Sequence, residues 1–81
     1  MVTCQFSLYP LRENLSPALD RAMEGVRSAG VTPQAGSMST YIEGDEDAVF
    51  EALKRAFRRA AEEGELVLVA TVSNACRVPG P

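Results

Sequence analysis

The sequence predicts an α+β sandwich, a four-stranded antiparallel sheet with two helices on one face. Three observations predict it. Three short runs show the period-two alternation of strands, and two longer segments carry apolar residues at helical spacing. The resulting order is strand, helix, strand, strand, helix, strand within 81 residues, enough for one domain covering 1–81 with a core near the lower size limit.

The first strand is Val2–Tyr9, with Val2, Cys4, Phe6 and Leu8 on one side and Thr3, Gln5, Ser7 and Tyr9 on the other. A helix follows from Leu15-Ser16-Pro17, where Ser16 suits the N-cap and Pro17 the first helical position. Leu15, Leu19, Ala22, Met23 and Val26 form its apolar stripe, and Gly30 ends it. Val31–Ala35 and the strand from Met38 to Glu43 flank Gly36-Ser37, which reads as a two-residue hairpin turn. Pro33 cannot donate to a ladder, so its strand belongs at a sheet edge. The second helix starts after Gly44 with Asp45 as cap and Glu46 and Asp47 on the positive end of the dipole. Val49, Leu53, Ala56, Phe57 and Ala60 mark its buried face, Glu51–Arg55 and Arg58–Glu62 sit four apart on the solvent side, and Gly64 closes it. Leu66–Ser73 is the last strand.

This order is the split β-α-β arrangement called ferredoxin-like, a βαββαβ sandwich in which the first and last strands are antiparallel neighbours. Both helices cover one face of the sheet. The other face then presents Gln5, Ser7, Ser39, Tyr41, Thr71 and Ser73, which are uncharged and rich in donors and acceptors. A face needing only solubility more usually carries Lys, Glu or Arg. Two readings stay open: a solvated or subunit-packing surface, and a site for a flat, neutral, hydrogen-bonding ligand with Tyr41 adding an aromatic surface.

Composition narrows the function classes. Net charge is −3, against a nucleic-acid partner, whose phosphates need a basic surface. No run approaches the ~18–20 apolar residues of a membrane span, and Met1–Gln5 lacks the basic and apolar regions of a signal peptide; the expected compartment is the cytoplasm. With no histidine and only Cys4 and Cys76, the chain cannot readily build a closed zinc site, and histidine-based acid–base or triad chemistry is absent. The apolar fraction is 46% with no Trp, so the core rests on small aliphatics, and oligomerisation is a common remedy for so small a core.

Other chemistry-bearing features have plainer explanations. Cys4 faces the helices and reads as a small buried hydrophobe; a disulfide to Cys76 is geometrically open, but a cytoplasmic setting favours reduced thiols. Glu43-Gly44-Asp45-Glu46-Asp47 lacks the ligand spacing of a calcium loop and reads as helix capping. Lys54, Arg55, Arg58 and Arg59 read as the outer face of a helix, with an anion site as the minority alternative. Tyr9-Pro10-Leu11 and Arg12-Glu13-Asn14 admit comparison with acylphosphatases, which share the topology, but the loop is not a glycine-rich anion cradle.

Cys4–Leu11, Met38–Asp45 and Thr71–Cys76, with Asp47-Ala48-Val49-Phe50 opening the second helix, resemble the YkoF-like thiamine/hydroxymethylpyrimidine-binding family in order and spacing over nearly the whole chain. The resemblance implies a ferredoxin-like fold, non-covalent binding of thiamine or its hydroxymethylpyrimidine moiety in carriage, salvage or sensing, and no catalytic reaction, metal or further cofactor. The candidate ligand-binding set is Gln5, Ser7, Ser39, Thr40, Tyr41, Thr71, Ser73 and Asn74. Some relatives carry two such domains in tandem, so a single domain implies a homodimer or homotetramer through sheet faces or edges. The competing expectation is an oligomeric interaction or regulatory module with no small-molecule ligand of its own.

Overall fold

The structure, a computed structural model, describes residues 1–11, 15–36 and 39–75, with 15 and 16 described for their backbone alone. The chain runs β1 (Val2–Pro10), α1 (Leu15–Ser28), β2 (Gln34–Ala35), β3 (Thr40–Gly44), α2 (Glu46–Ala61) and β4 (Leu66–Ser73). The strands form one sheet in the order β2-β3-β1-β4, with every neighbouring pair antiparallel. Central β1 pairs with β3 from Val2↔Gly44 to Phe6↔Thr40, and with β4 from Thr3↔Ser73 to Pro10↔Leu66. The ferredoxin-like sandwich expected from the element order is the observed fold.

The core lies between the sheet and the helix pair. Val2, Cys4, Phe6 and Ile42 supply it from the sheet, and Ala18, Ala22, Val26, Val49, Ala52, Ala56 and Ala60 from the helices. Alternation along β1 thus places its apolar set as expected. On α2 the buried ridge is Val49, Ala52, Ala56 and Ala60. Leu53 is half-buried, whereas Phe57, expected in the core, remains 45% exposed. The reason is the closeness of the two helices. A Cβ placed on Gly25 of α1 would lie 2.6 Å from the Arg55 carbonyl oxygen and 2.8 Å from the Ala56 nitrogen. Small residues form the seam, and a phenylalanine is displaced to its flank.

Polar contacts follow the same seam. Arg55 donates through Nε to Glu51 Oε2 at 2.8 Å and through Nη1 to the Ser28 carbonyl at 2.7 Å. A cation therefore sits on the carbonyl end of α1, where the helix dipole favours it. The expected Glu51–Arg55 pair forms. Glu62, expected to meet Arg58, instead meets Arg21 of α1, because the neighbouring helix brings a guanidinium closer than the next turn does. That contact raises the Arg21 pKa, chiefly through the hydrogen bond to Glu62.

Element boundaries depart from expectation in three places. Helix α1 begins at Leu15, so Ser16 lies inside the first turn rather than at the cap; Pro17 is still within the stretch whose N–H groups have no intrahelical acceptor. Asp45 has extended cap geometry and its carbonyl accepts from Val49 N–H at 2.9 Å, but its carboxylate makes no capping bond. In the hairpin, Gly36 N–H donates to the Ser39 carbonyl at 2.8 Å. Gly36 is thus the last rung of the ladder rather than a turn residue; Ser37 and Met38 lie outside the described residues. Gly30 has φ 81°, as its helix-ending role requires.

Two measurements check this packing. Gly25→Ala forces backbone atoms of α2 to retreat, and urea unfolding should show a loss of about 1–3 kcal/mol; unchanged stability would contradict the close helix approach. The Cys4 thiol is fully buried, and burial pushes its pKa from 9.0 up to about 11. Its folded value exceeds its unfolded one, so the associated stability is present below about pH 9 and is lost as pH rises towards 11. The stability difference between the wild-type chain and Cys4→Ala should therefore shrink by about 2 kcal/mol between pH 8 and 11.

Candidate functional site

Register assembles the open face row by row. Residues directly opposite on neighbouring strands share a face. Gln34↔Tyr41, Tyr41↔Gln5 and Gln5↔Thr71 therefore set one row, Gln34–Tyr41–Gln5–Thr71, across all four strands. Beside it runs Glu43–Thr3–Ser73, in which Thr3 Oγ1 donates to Glu43 Oε2 at 3.5 Å. Towards the other end lie Ser7↔Val69 and Tyr9↔Val67. The polar rows thus give way to a second zone, where Val67 is 47% and Val69 53% exposed beside exposed Tyr9.

Backbone hydrogen bonds alternate sides along an antiparallel strand, so one bond fixes the phase. Gly36 bonding to Ser39 makes Gln34 and Tyr41 a hydrogen-bonded pair. The odd-numbered residues of β3 then turn their N–H and C=O towards β2, and Gln5 and Tyr41 form a close, non-bonded pair with Cα atoms ~4.5 Å apart. Strand β2 extends only over Gln34–Ala35; in this phase Pro33 turns its nitrogen away from β3, the one side on which an edge strand tolerates proline. Beyond it, Glu43 keeps its N–H and C=O on a strand edge where Thr32 makes no backbone bond to it.

A shallow depression of about 290 Å³ occupies that place, lined by Gln34, Tyr41 and Glu43 of the open face, with Gly30, Val31 and Thr32 leading out of α1. It offers an aromatic face, a carboxamide, a carboxylate and an exposed strand edge. Its volume is at the lower end of the range for ligand pockets, about 300–1,000 Å³, which suits a single-ring group. Gly36 sets the Tyr41 ring in place: a Cβ there would lie 2.7 Å from Tyr41 Cε2.

Of the residues expected at the site, Gln5, Tyr41 and Thr71 lie in one row, and Ser73 and Ser7 in the rows on either side. The Ser73 hydroxyl also accepts from Ala75 N–H at 2.9 Å. Ser39 precedes β3, half-buried, and Asn74 is exposed just after β4. Thr40 does not join them. It is 7% exposed, opposite Phe6 and Ala35, because alternation turns it to the helix side when Tyr41 faces out. Gln34, Val67 and Val69 belong to the face and were missing from the expected set. Alternation along β4 from Thr71 and Ser73 already implied the two valines, whereas Gln34 required the hairpin register.

The other candidates separate from this face. Cys4 is on the helix side, unreactive as a buried thiol, while Cys76, Arg12, Glu13 and Asn14 lie outside the described residues. In the basic cluster, Arg55 is engaged by Glu51 and Ser28, and Arg59 lies 3.9 Å from Glu24. Among the described residues no three His, Cys, Asp or Glu side chains converge to hold a metal ion, and no helix is long and apolar enough to cross a membrane.

The chain matches the YKOF-related family over residues 1–80, and it belongs to that family. Solved structures agree. A domain of unknown function, DUF77, from Bacillus cereus superimposes with TM-score 0.76 at 29% identity, covering 89% of this chain and 73% of that one. A Thermotoga maritima protein named for a proposed role in thiamine biosynthesis or salvage gives TM-score 0.75 at 26% identity, covering 88% and 80%. A hypothetical protein from Methanocaldococcus jannascii shares the fold at TM-score 0.80 and 21% identity, covering 96% and 84%. No curated protein matches the chain significantly.

Gly36→Ala tests the placement of Tyr41. The added methyl should displace the ring, seen as a shift of the Tyr41 ring resonances by NMR with the Cys4 and Phe6 core signals unchanged. Unmoved ring signals would show that Tyr41 is not held against Gly36.

Proposed function

We propose that the chain binds thiamine or its hydroxymethylpyrimidine moiety without covalent chemistry, serving carriage, salvage or sensing of the vitamin inside the cell. The observation that carries this reading is the Gln34–Tyr41–Gln5–Thr71 row where it meets the depression beside β2. Membership of the YKOF-related family supports it, as does the likeness to the Thermotoga maritima protein.

The chemistry is complementary. An aminopyrimidine is flat, with ring nitrogens that accept and an exocyclic amine that donates. The Gln5 and Gln34 carboxamides each offer both kinds of partner, and the Tyr41 ring offers a stacking surface. The Glu43 N–H and C=O, side by side on the open edge of β3, match an acceptor–donor ring edge as a neighbouring strand would. The Glu43 carboxylate favours the cationic thiazolium of whole thiamine. Selection comes from the pattern: a site group left unpaired by the wrong ligand costs about 1–3 kcal/mol.

A second reading, an assembly module without a ligand, has the exposed Tyr9–Val67–Val69 zone in its favour. Calorimetric titration separates the two. Thiamine and hydroxymethylpyrimidine should each give saturable heat. Gln5→Ala should weaken binding by about 2–10-fold, the loss of one hydrogen bond. Glu43→Gln should weaken thiamine but leave the pyrimidine nearly unaffected, and Thr40→Val should leave both unchanged because Thr40 faces the core. Absence of heat and of any thermal shift at millimolar ligand would remove the ligand reading.

A further inference from the structure

Glu43 is the one charged side chain in the four strands of the sheet. It is exposed on the open face, opposite Thr3. Thr3 Oγ1 donates to it at 3.5 Å, and a neutral hydroxyl leaves its charge in place. The ion pairs of the described residues, by contrast, all join side chains of the helix layer. Among the described residues the basic side chains are Arg21 and Arg27 of α1 and Lys54, Arg55, Arg58 and Arg59 of α2. Arg12 and Arg77 lie outside the described residues.

None of those cations lines the depression beside β2. Thr32, Gln34 and Tyr41 offer it neutral donors and acceptors, and Glu43 is the one charged residue on its wall. Gly30 and Val31 follow the carbonyl end of α1, the negative end of the helix dipole. Arg55 offsets part of that charge at the Ser28 carbonyl, from the side of α2. A phosphate ester needs the reverse surroundings: guanidinium or ammonium groups, or a helix N-terminus. A ligand in a space of about 290 Å³ stays within about a Debye length, ~8 Å at physiological ionic strength, of a carboxylate on its wall. Salt therefore weakens the repulsion without removing it.

We infer that this face selects the unphosphorylated form of its ligand, and that the Glu43 carboxylate is the group that turns phosphate esters away. This selectivity deepens the proposed binding of thiamine or hydroxymethylpyrimidine and rests on that reading. A phosphate monoester carries about −1.5 to −2 charges at pH 7. In the depression it faces a carboxylate and gives up water with no cation in exchange. A neutral pyrimidine or a thiazolium meets neither cost. Phosphorylation then acts as a release signal. A separate kinase-class enzyme moves the terminal phosphoryl group of a nucleoside triphosphate onto the ligand's hydroxyl oxygen, which loses its proton, and the held ligand becomes one that leaves. The chain thus serves the vitamin before that reaction.

Calorimetric titration of the full chain with hydroxymethylpyrimidine and with its monophosphate, at neutral pH and ~20 mM salt, tests this. The readout is the ratio of the two dissociation constants, in which a variant's general effect on the site cancels. The wild-type chain should bind the alcohol at least about tenfold more tightly than the ester. Glu43→Gln should lower that ratio about 3–10-fold, and Glu43→Lys should bring it to about one or invert it. At ~0.5 M salt the wild type and Glu43→Gln should converge, because screening removes an effect of charge but not one of shape. Glu63→Gln removes the same charge at the opposite end of the sheet, near Pro10 and Leu66, and should leave the ratio unchanged. Equal affinity for alcohol and ester, or a ratio that Glu43→Gln leaves unmoved or that Glu63→Gln lowers as far, overturns the proposal and leaves the vitamin reading standing. Saturable heat from neither compound removes the vitamin reading and this selectivity with it.

Discussion

The approach of α1 to α2 at Gly25 governs much of the architecture. A carbonyl and an amide of α2 occupy the space where a Cβ on Gly25 would stand, so the helices meet almost backbone to backbone. Ala22, Ala52 and Ala56, all fully buried, contribute to a core in which few large side chains separate the layers. Close approach then lets Arg55 reach the last carbonyls of α1 and lets Arg21 and Glu62 meet across the seam. The helix pair acts as one lid, and that lid holds one face of the sheet dry while the other is left without a cover.

An economical core has consequences at the periphery. Alanine and valine bury little area each, and burial stabilises at about 25 cal/mol per Å², so a domain of this size has a small surplus. At the same time Phe50 and Phe57 are displaced from the seam and are 51% and 45% exposed. Apolar surface that the helix seam does not accommodate is thus present on the outside; Val67 and Val69 are exposed for a different reason, the alternation that turns them to the open face.

The polar face owes its chemistry to the same division of labour. Cys4, Phe6 and Ile42 point into the dry layer, which obliges Gln5, Tyr41 and Thr71 to point out. Hydrogen-bonding groups on a rigid central strand are held in fixed relative positions, which suits recognition by pattern. The shortness of β2 adds the second ingredient. Where β2 ends, the edge of β3 is left with a donor and an acceptor beside an aromatic ring and a carboxylate.

Much of this was legible in the residues alone. Period-two alternation in β1 and β4, the helical stripes, the edge position implied by Pro33 and the helix end at Gly30 all depend on local steric and hydrogen-bonding rules, which act within a few residues. The element order then restricts the topology to the split β-α-β sandwich. Tertiary structure decided what depends on distance. Only the helix approach could show that Phe57 lies outside the seam and that Glu62 turns to Arg21 rather than Arg58. Thr40 needed no register: alternation turns it to the helix side once Tyr41 faces out, and its 7% exposure agrees. And only the early end of β2 brings Gln34, Tyr41 and Glu43 around one depression, because the groups that line it come from segments whose meeting is set by hydrogen bonds between strands.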